Sequence, residues 1–64
     1  LIEILQYFKK EYYVIRIHYE TDRIGSITGW ITHIDDRLIK IHDGKIVHII
    51  PLNCITRYEI VNDV

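Results

Sequence analysis

Four histidines, one pair of adjacent aspartates and one cysteine are the side chains whose chemistry could serve catalysis or metal binding. A zinc site on a helix would need two histidines at i and i+4, or a Cys-x-x-Cys pair, and the chain has neither. We therefore interpret the histidines as surface residues that face outward from strands or turns, and we expect no metal ion. They are His18, His33, His42 and His48.

Asp35 and Asp36 could be paired carboxylates for acid–base catalysis. Adjacent residues at a strand end point to opposite faces, however, so the two carboxylates would not converge on a substrate. Aspartate at a turn is better explained by hydrogen bonds from nearby backbone amides. Cys54 has no neighbouring histidine or helix start that would lower its pKa, so we expect a small apolar role for it. The sequence thus favours a non-enzymatic protein without a cofactor.

Length and composition limit the class of protein further. The 64 residues make one domain near the lower limit for a core without disulfides, and a single cysteine indicates a reducing, cytoplasmic setting. A net charge of −1 with dispersed basic residues predicts weak nucleic-acid binding, no tighter than roughly 10⁻⁵ M for single strands. No apolar run approaches a membrane span, and no signal peptide is evident. Because the chain starts at Leu1 and lacks methionine, we expect it to be a piece of a longer protein.

The first segment, residues 1–11, has the spacing of an amphipathic helix. Apolar residues recur at i, i+3, i+4 and i+7, and Lys9-Lys10 near the end suit the helix dipole. A helix this short is marginal alone, so we expect it to cover one end of the remaining domain. The apolar positions are Leu1, Ile4, Leu5 and Phe8.

Residues 12–60 carry branched apolar side chains interleaved with polar ones, which favours β-strands. The strands are expected at about 12–19, 24–34, 38–42, 46–50 and 54–60. In the first, Tyr13, Ile15, Ile17 and Tyr19 share one face, opposite a wetter face with Arg16 and His18. The second is long and contains Gly25 and Gly29, which predict a bulge or a bend that lets the sheet curl into a barrel. Pro51 should end the fourth strand, followed by a short turn or 3₁₀ step.

The turn at Asp43-Gly44 determines how the third and fourth strands pair. A two-residue loop would place His48 opposite Ile39 and mix polar with apolar residues on one face. A three-residue loop, residues 42–44 with Gly44 left-handed, avoids burying a histidine, so we expect that register. It pairs Ile39 with Val47 and Ile41 with Lys45. Its inner face would be Ile39, Ile41, Val47 and Ile49, with Lys40, His42 and His48 outside.

These elements predict a mainly β fold, a five-stranded SH3-like or Sm-like barrel with a short N-terminal α-helix, as one domain over residues 1–64. The segment Gly29-x-Ile-x-x-Ile-Asp35, the Asp43-Gly44 hairpin and Ile50-Pro51-Leu52-Asn53-x-Ile55 resemble the YolD-like family of small bacterial proteins. Tyrosines in the first strand, Tyr12, Tyr13 and Tyr19, add to this resemblance. It implies a regulatory role beside error-prone DNA polymerases of the Y type in the response to DNA damage.

The same glycine-containing segment resembles the first motif of Sm-like RNA-binding barrels. That resemblance implies an alternative function, single-stranded RNA binding by an oligomeric ring. The second Sm-like motif would be a basic turn before the last strand, and Pro51-Leu52-Asn53 stands there instead.

Trp30 is the single side chain of greatest interest. By alternation with Ile31 it faces away from the inner face, where it could stack on a base or anchor a protein partner beside a tyrosine. Alternatively the N-terminal helix covers that face and Trp30 belongs to the core. The candidate partner or nucleic-acid surface is Trp30, Tyr13, Tyr19, Arg16, Lys40 and Arg57. Unpaired strand edges in so small a domain further predict a homo-oligomer.

Overall fold

Alternation of isoleucine with polar residues builds five antiparallel strands, which confirms the predicted mainly β class with a short N-terminal helix. The structure is a computed structural model and describes residues 1–61. Its elements are α1 (Ile2–Lys10), β1 (Ile15–Glu20), β2 (Ile24–Ile34), β3 (Leu38–His42), β4 (Val47–Pro51), a 3₁₀ turn (Leu52–Cys54) and β5 (Ile55–Ile60).

The strands form one sheet in the order β4-β3-β2-β1-β5. The long strand β2 serves both halves of it: residues 24–29 pair with β1, and residues 30–34 pair with β3. The register shifts between Ile31 and His33 on the β3 side, and between His18 and Tyr19 where β1 meets β5. The sheet therefore changes partner at Gly29-Trp30, in the middle of its central strand.

Gly29 is the glycine that this change of partner requires. A Cβ atom there would collide with the carbonyl oxygen of His42 and lie 2.9 Å from its carbonyl carbon. The backbone of the β3–β4 turn therefore crosses directly against Gly29, as close approach of two backbones demands. Gly25 has a different role from the predicted bulge or bend, because it pairs regularly with Tyr19, whose ring occupies the space that a Cβ would fill.

The core lies between α1 and the inner face of the sheet. Eight side chains are buried in it: Leu5, Phe8, Ile15, Ile17, Ile31, Ile39, Ile41 and Ile50. The helix contributes the face predicted from its spacing, with Leu5 and Phe8 buried, Ile4 packed against them and Leu1 exposed. The alternation predicted for the first strand is likewise observed in β1, where Ile15 and Ile17 are fully buried.

The predicted register of the β3–β4 hairpin is wrong. Ile39 pairs with Ile50 and Ile41 with His48, so four residues, Asp43 to Ile46, form the turn. As a result Ile50 enters the core, whereas Val47 and Ile49 are 47% and 61% exposed. The prediction assumed that a histidine on the inner side would be too costly. His48 avoids that cost because it lies at the rim, where its Nε2 is 2.7 Å from Asp43 Oδ2.

Among the described residues 1–61, no helix is long and apolar enough to cross a membrane.

Candidate functional site

A groove lies between the C-terminal half of α1 and the second half of β2, and we call it the Trp30 groove. Its volume is about 710 Å³. The lining combines aromatic rings, two lysines and polar groups with the apolar floor of the strand, and it contains no carboxylate. The lining residues are Gln6, Lys9, Lys10, Tyr12, Trp30, Ile31, Thr32 and Ile34.

Trp30 is held in place from the neighbouring strand. It pairs directly with His42 across β2 and β3, and the two rings stack with centroids 4.9 Å apart and planes inclined by 24°. The imidazole is fixed in turn, because its Nδ1 accepts a hydrogen bond of 2.9 Å from the Gly44 backbone N–H. With 38% of its surface exposed, Trp30 is not part of the core, so the indole is a supported but accessible platform.

Tyr12 stands where the helix leaves the groove, in a backbone conformation that tyrosine rarely adopts. Its φ is +57°, in the left-handed region. The Tyr12 N–H donates to the Lys9 carbonyl at 3.2 Å and the Tyr13 N–H donates to the Phe8 carbonyl at 3.1 Å. These two hydrogen bonds form a Schellman motif, whose left-handed position is usually glycine. Here the position is occupied by a tyrosine that is 81% exposed.

Lys9 and Lys10 provide the charge of the groove. Both are exposed, in the last turn of α1, and neither ammonium group forms an ion pair with any of residues 1–61. The Schellman hydrogen bonds occupy two of the last helical carbonyls, which lessens the negative potential at this helix end. The two lysines therefore make this end of the groove locally positive although the net charge of the chain is −1.

A second accessible surface is the outer side of the edge strand β4. Strand β4 pairs with β3 on one side only among residues 1–61. Val47 and Ile49 are exposed on it, and Ile46 in the preceding turn is 59% exposed. We call this strand with its exposed apolar side chains the β4 edge.

Three residues of the predicted surface do not line the Trp30 groove. Arg16 and Arg57 are on the outer face of β1 and β5, where Arg16 Nη1 is 3.4 Å from Glu59 Oε1 and Arg16 Nε donates to Thr28 Oγ1 at 3.1 Å. Lys40 shares a face with His42 on β3, opposite Ile49 of β4. The six predicted residues therefore do not form one patch.

The two tyrosines of that predicted surface pack against the core. Tyr13 stacks edge-on against Tyr7 at 5.8 Å and lies 5.6 Å from Phe8, and Tyr19 covers Gly25. Neither lines the Trp30 groove; Tyr12 does. Tyr12 was not among the predicted surface residues, and Lys9 and Lys10 were predicted only to suit the helix dipole. The available signal was a helix end, Lys9-Lys10-Glu11-Tyr12, that lacks the usual glycine.

Two turns of the same design stand at either end of β3. Asp35 Oδ1 accepts hydrogen bonds from the backbone N–H groups of Arg37 (2.8 Å) and Leu38 (3.0 Å). Asp43 Oδ1 accepts in the same way from Lys45 (2.8 Å) and Ile46 (3.0 Å). The predicted role of Asp35 in a turn is confirmed by these hydrogen bonds.

A histidine completes each turn and lowers the pKa of its aspartate. The hydrogen bond between His33 and Asp35 Oδ2 (2.9 Å), with the two backbone N–H groups, lowers the pKa of Asp35 to about 2. His48 and two backbone N–H groups lower the pKa of Asp43 in the same way. On the outer face of β1 and β5, His18 and then Arg16 lower the pKa of Glu59. All three histidines are thus engaged with carboxylates.

The described residues offer little for metal binding or nucleophilic chemistry. Within residues 1–61, no group of three or more His, Cys, Asp or Glu side chains could hold a metal ion. The Cys54 thiol is half-buried and contacts Asn53 Oδ1 at 3.5 Å. The arrangement as a whole is suited to binding through the Trp30 groove or the β4 edge.

Comparison with known proteins found no relative: no family model, no curated protein and no solved structure matches the chain.

Proposed function

We propose that this chain is a non-enzymatic binding or regulatory module that acts in the cytoplasm by strand addition at the β4 edge. The observation that carries the proposal is the exposure of Val47 and Ile49 on an edge strand. An edge strand offers a row of unpaired backbone donors and acceptors, and its alternate side chains supply apolar contact for a strand that pairs with it.

The two edges of the sheet differ in their protection. Strand β5 carries Arg57 and Glu59, and charges on an edge discourage pairing with other chains. Strand β4, with the sequence Val-His-Ile-Ile-Pro, has no residue of fixed charge, and only its last residue is proline. The β4 edge is therefore the more receptive of the two.

A second copy of this chain is the occupant that we propose for the β4 edge. A domain of 64 residues has a small core, and covering Ile46, Val47 and Ile49 in a dimer would bury more apolar surface. Pairing β4 with β4 in antiparallel fashion would use the same surface on both copies and would close as a twofold dimer.

The resemblance to the YolD-like family supplies the biological setting of the proposal. In that setting the dimer, or its remaining surface, regulates a protein of the bacterial response to DNA damage such as an error-prone DNA polymerase of the Y type. The support for this part is the resemblance of the Gly29–Asp35 and Ile50–Ile55 segments.

A second candidate function is single-stranded RNA binding by an Sm-like ring. The observation that favours it is that both β4 and β5 are edges, so β4 of one copy could pair with β5 of the next. Such a head-to-tail contact generates a ring if the rotation closes.

Light scattering after size-exclusion chromatography separates these possibilities by mass. We expect the wild-type chain to have the mass of a dimer and the Ile49→Glu variant to have that of a monomer. The new carboxylate would face Lys40 across the hairpin, so the fold should tolerate it. Ile24→Lys is the matched control, because Ile24 is 83% exposed on β2 and faces Glu20.

The measured masses distinguish the dimer from the ring. A wild-type monomer, or an Ile49→Glu dimer, would contradict self-association through β4. A mass of five or more copies would favour the ring.

A further inference from the structure

We propose that the Trp30 groove is a binding site for a nucleotide, with the base stacked on Trp30 and the phosphate paired with Lys9 and Lys10. The same chemistry is offered by a free nucleotide and by one unit of a single strand. None of the residues that line the groove belongs to the β4 edge, and the proposal does not depend on self-association.

The aromatic part of the site, the Trp30 ring, is held in a fixed orientation without a ligand. His42 supports the indole at 4.9 Å, and the Gly44 N–H holds His42. A ring already fixed in its binding orientation loses little conformational entropy when a base stacks on it. Stacking accepts any base, because every base has a π-face.

The charged part of the site lies on the helix side of the same groove. Lys9 and Lys10 are unpaired among residues 1–61, and the groove lining holds no carboxylate that would repel a phosphate. Glu11 follows Lys10 directly and Glu3 lies in the first turn of α1, but neither carboxylate lines the groove. An anion is therefore the complementary ligand for this side.

A purely structural role does not explain why residue 12 is a tyrosine. A left-handed Schellman position favours glycine, and a tyrosine there is strained. Tyr12 is 81% exposed, so burial in the core does not offset that strain. Strained backbone that holds a side chain over a groove is a feature of binding sites. Tyr12 would supply a second ring against the base or the sugar.

The dimensions limit what the groove can hold. A volume of about 710 Å³ lies within the range of roughly 300–1,000 Å³ found for small-molecule sites. The groove is open along one side, and only two lysines contribute charge, so the affinity should be modest. We expect a dissociation constant between about 10⁻⁵ and 10⁻⁴ M for a short single strand.

Intrinsic fluorescence provides a direct measurement, because Trp30 is the only tryptophan in the chain. Thymidine monophosphate and hexathymidylate are titrated into the protein, with thymidine and inorganic phosphate as the partial probes. We expect both nucleotides to quench Trp30 and each partial probe to bind at least about tenfold more weakly. Hexathymidylate much tighter than the monophosphate would identify a single strand as the source; equal affinities would identify the free nucleotide.

Two sets of variants test the residues. Lys9→Ala/Lys10→Ala should weaken nucleotide binding about tenfold or more, whereas Arg23→Ala/Lys45→Ala, with the same charge loss outside the groove, should change it less than twofold. Trp30→Ala should weaken binding about tenfold, and Trp30→Phe, which keeps a ring, should recover most of it; both are followed by isothermal calorimetry. Circular dichroism shows whether each variant is folded.

Tyr12→Gly distinguishes a binding role from a structural one. The substitution should raise thermal stability and weaken nucleotide binding, and a residue with only a structural role would not couple these opposite effects. The proposal would be overturned if Lys9→Ala/Lys10→Ala and Arg23→Ala/Lys45→Ala lost affinity equally, or if phosphate bound as tightly as the nucleotide. Unchanged affinity in Tyr12→Gly and Trp30→Ala would also overturn it. None of these groove variants should change the mass measured by light scattering, so the two proposals fail separately.

Discussion

Tyr12 shows how one residue can retain strain when its side chain projects into a groove. A non-glycine residue in the left-handed region costs roughly 1–2 kcal/mol. The Schellman hydrogen bonds to Lys9 and Phe8 hold the backbone there regardless.

Replacing Tyr12 with glycine should therefore stabilise the fold. We expect the free energy of unfolding of Tyr12→Gly to rise by about 1 kcal/mol, because glycine adopts a φ of +57° without steric cost. Urea denaturation followed by circular dichroism measures the change. Tyr12→Ala is the control, since it removes the ring but keeps the strain; a gain of equal size in Tyr12→Ala would show that the backbone is not the cause.

Acid should weaken the fold through the carboxylates that accept hydrogen bonds in its turns. Because the folded pKa of Asp35 is lowered to about 2, its contribution is fully present above the ordinary aspartate pKa near 4 and disappears as the pH falls toward 2. Asp43 and Glu59, whose pKa values are also lowered, act in the same direction.

The urea midpoint should accordingly stay high above pH 5 and fall steeply between pH 4 and 2. The Asp35→Asn/Asp43→Asn variant keeps one oxygen in each turn for the backbone N–H groups, replaces the other with an NH2 group and cannot titrate, so its decline should be shallower. An identical pH profile for the wild type and this variant would show that the turns do not carry the effect.

The position of single residues could be predicted from the sequence where one local rule decides it. The left-handed conformation of Gly44 was expected and is observed at a φ of +105°. Tyr12 is an exception to the same kind of rule, since glycine is the preferred residue at the left-handed position after a helix. The location of Trp30 outside the core agrees with its alternation against Ile31, but its support by His42 depends on the pairing of β2 with β3.

At the scale of elements, strand positions were predictable and strand pairing was less so. Periodicity located β2 and β3 at their observed bounds. The hairpin register failed because the four-residue turn is stabilised by Asp43, which satisfies two backbone N–H groups and His48 together. These hydrogen bonds allow His48 to lie at the rim of the inner face. A rule that only matches polar with polar and apolar with apolar residues across the hairpin does not take them into account.

The crossing of the β3–β4 turn against β2 makes Gly29 sensitive to any side chain. Gly29→Ala should lower the free energy of unfolding by about 3 kcal/mol, because the new methyl group would meet backbone atoms of His42 that cannot rotate away. Thermal unfolding and circular dichroism would measure it. Gly25→Ala, where the obstacle is the Tyr19 side chain, should cost less.

Gly44→Val isolates the effect of backbone conformation. No atom lies within 4 Å of the place where a Cβ would stand at Gly44, so only the left-handed φ opposes a side chain. We expect a loss of roughly 1–2 kcal/mol in the free energy of unfolding by urea denaturation. Gly44→Asn, which tolerates this conformation, should lose less; equal losses would point to another cause.

At the scale of the whole molecule, the proposed pairing through the β4 edge predicts that stability depends on concentration. If two copies pair through β4, dissociation accompanies unfolding, so dilution should lower the melting temperature. We expect a measurable decrease over a hundredfold dilution by differential scanning fluorimetry. The Ile49→Glu variant should melt at one temperature throughout that range, and a constant value for the wild type as well would exclude the association.

The division of β2 between two sets of partners also bears on how the chain unfolds. Detaching β3 and β4 would expose Ile31, Ile39 and Ile41, whereas detaching β1 and β5 would uncover Ile15 and Ile17. Since either opening strips the same central strand of half its ladder, we expect the two halves of the sheet to open together. The amide protons of β2 that are hydrogen-bonded to β1 or β3 should then be among the slowest in the chain to exchange with solvent.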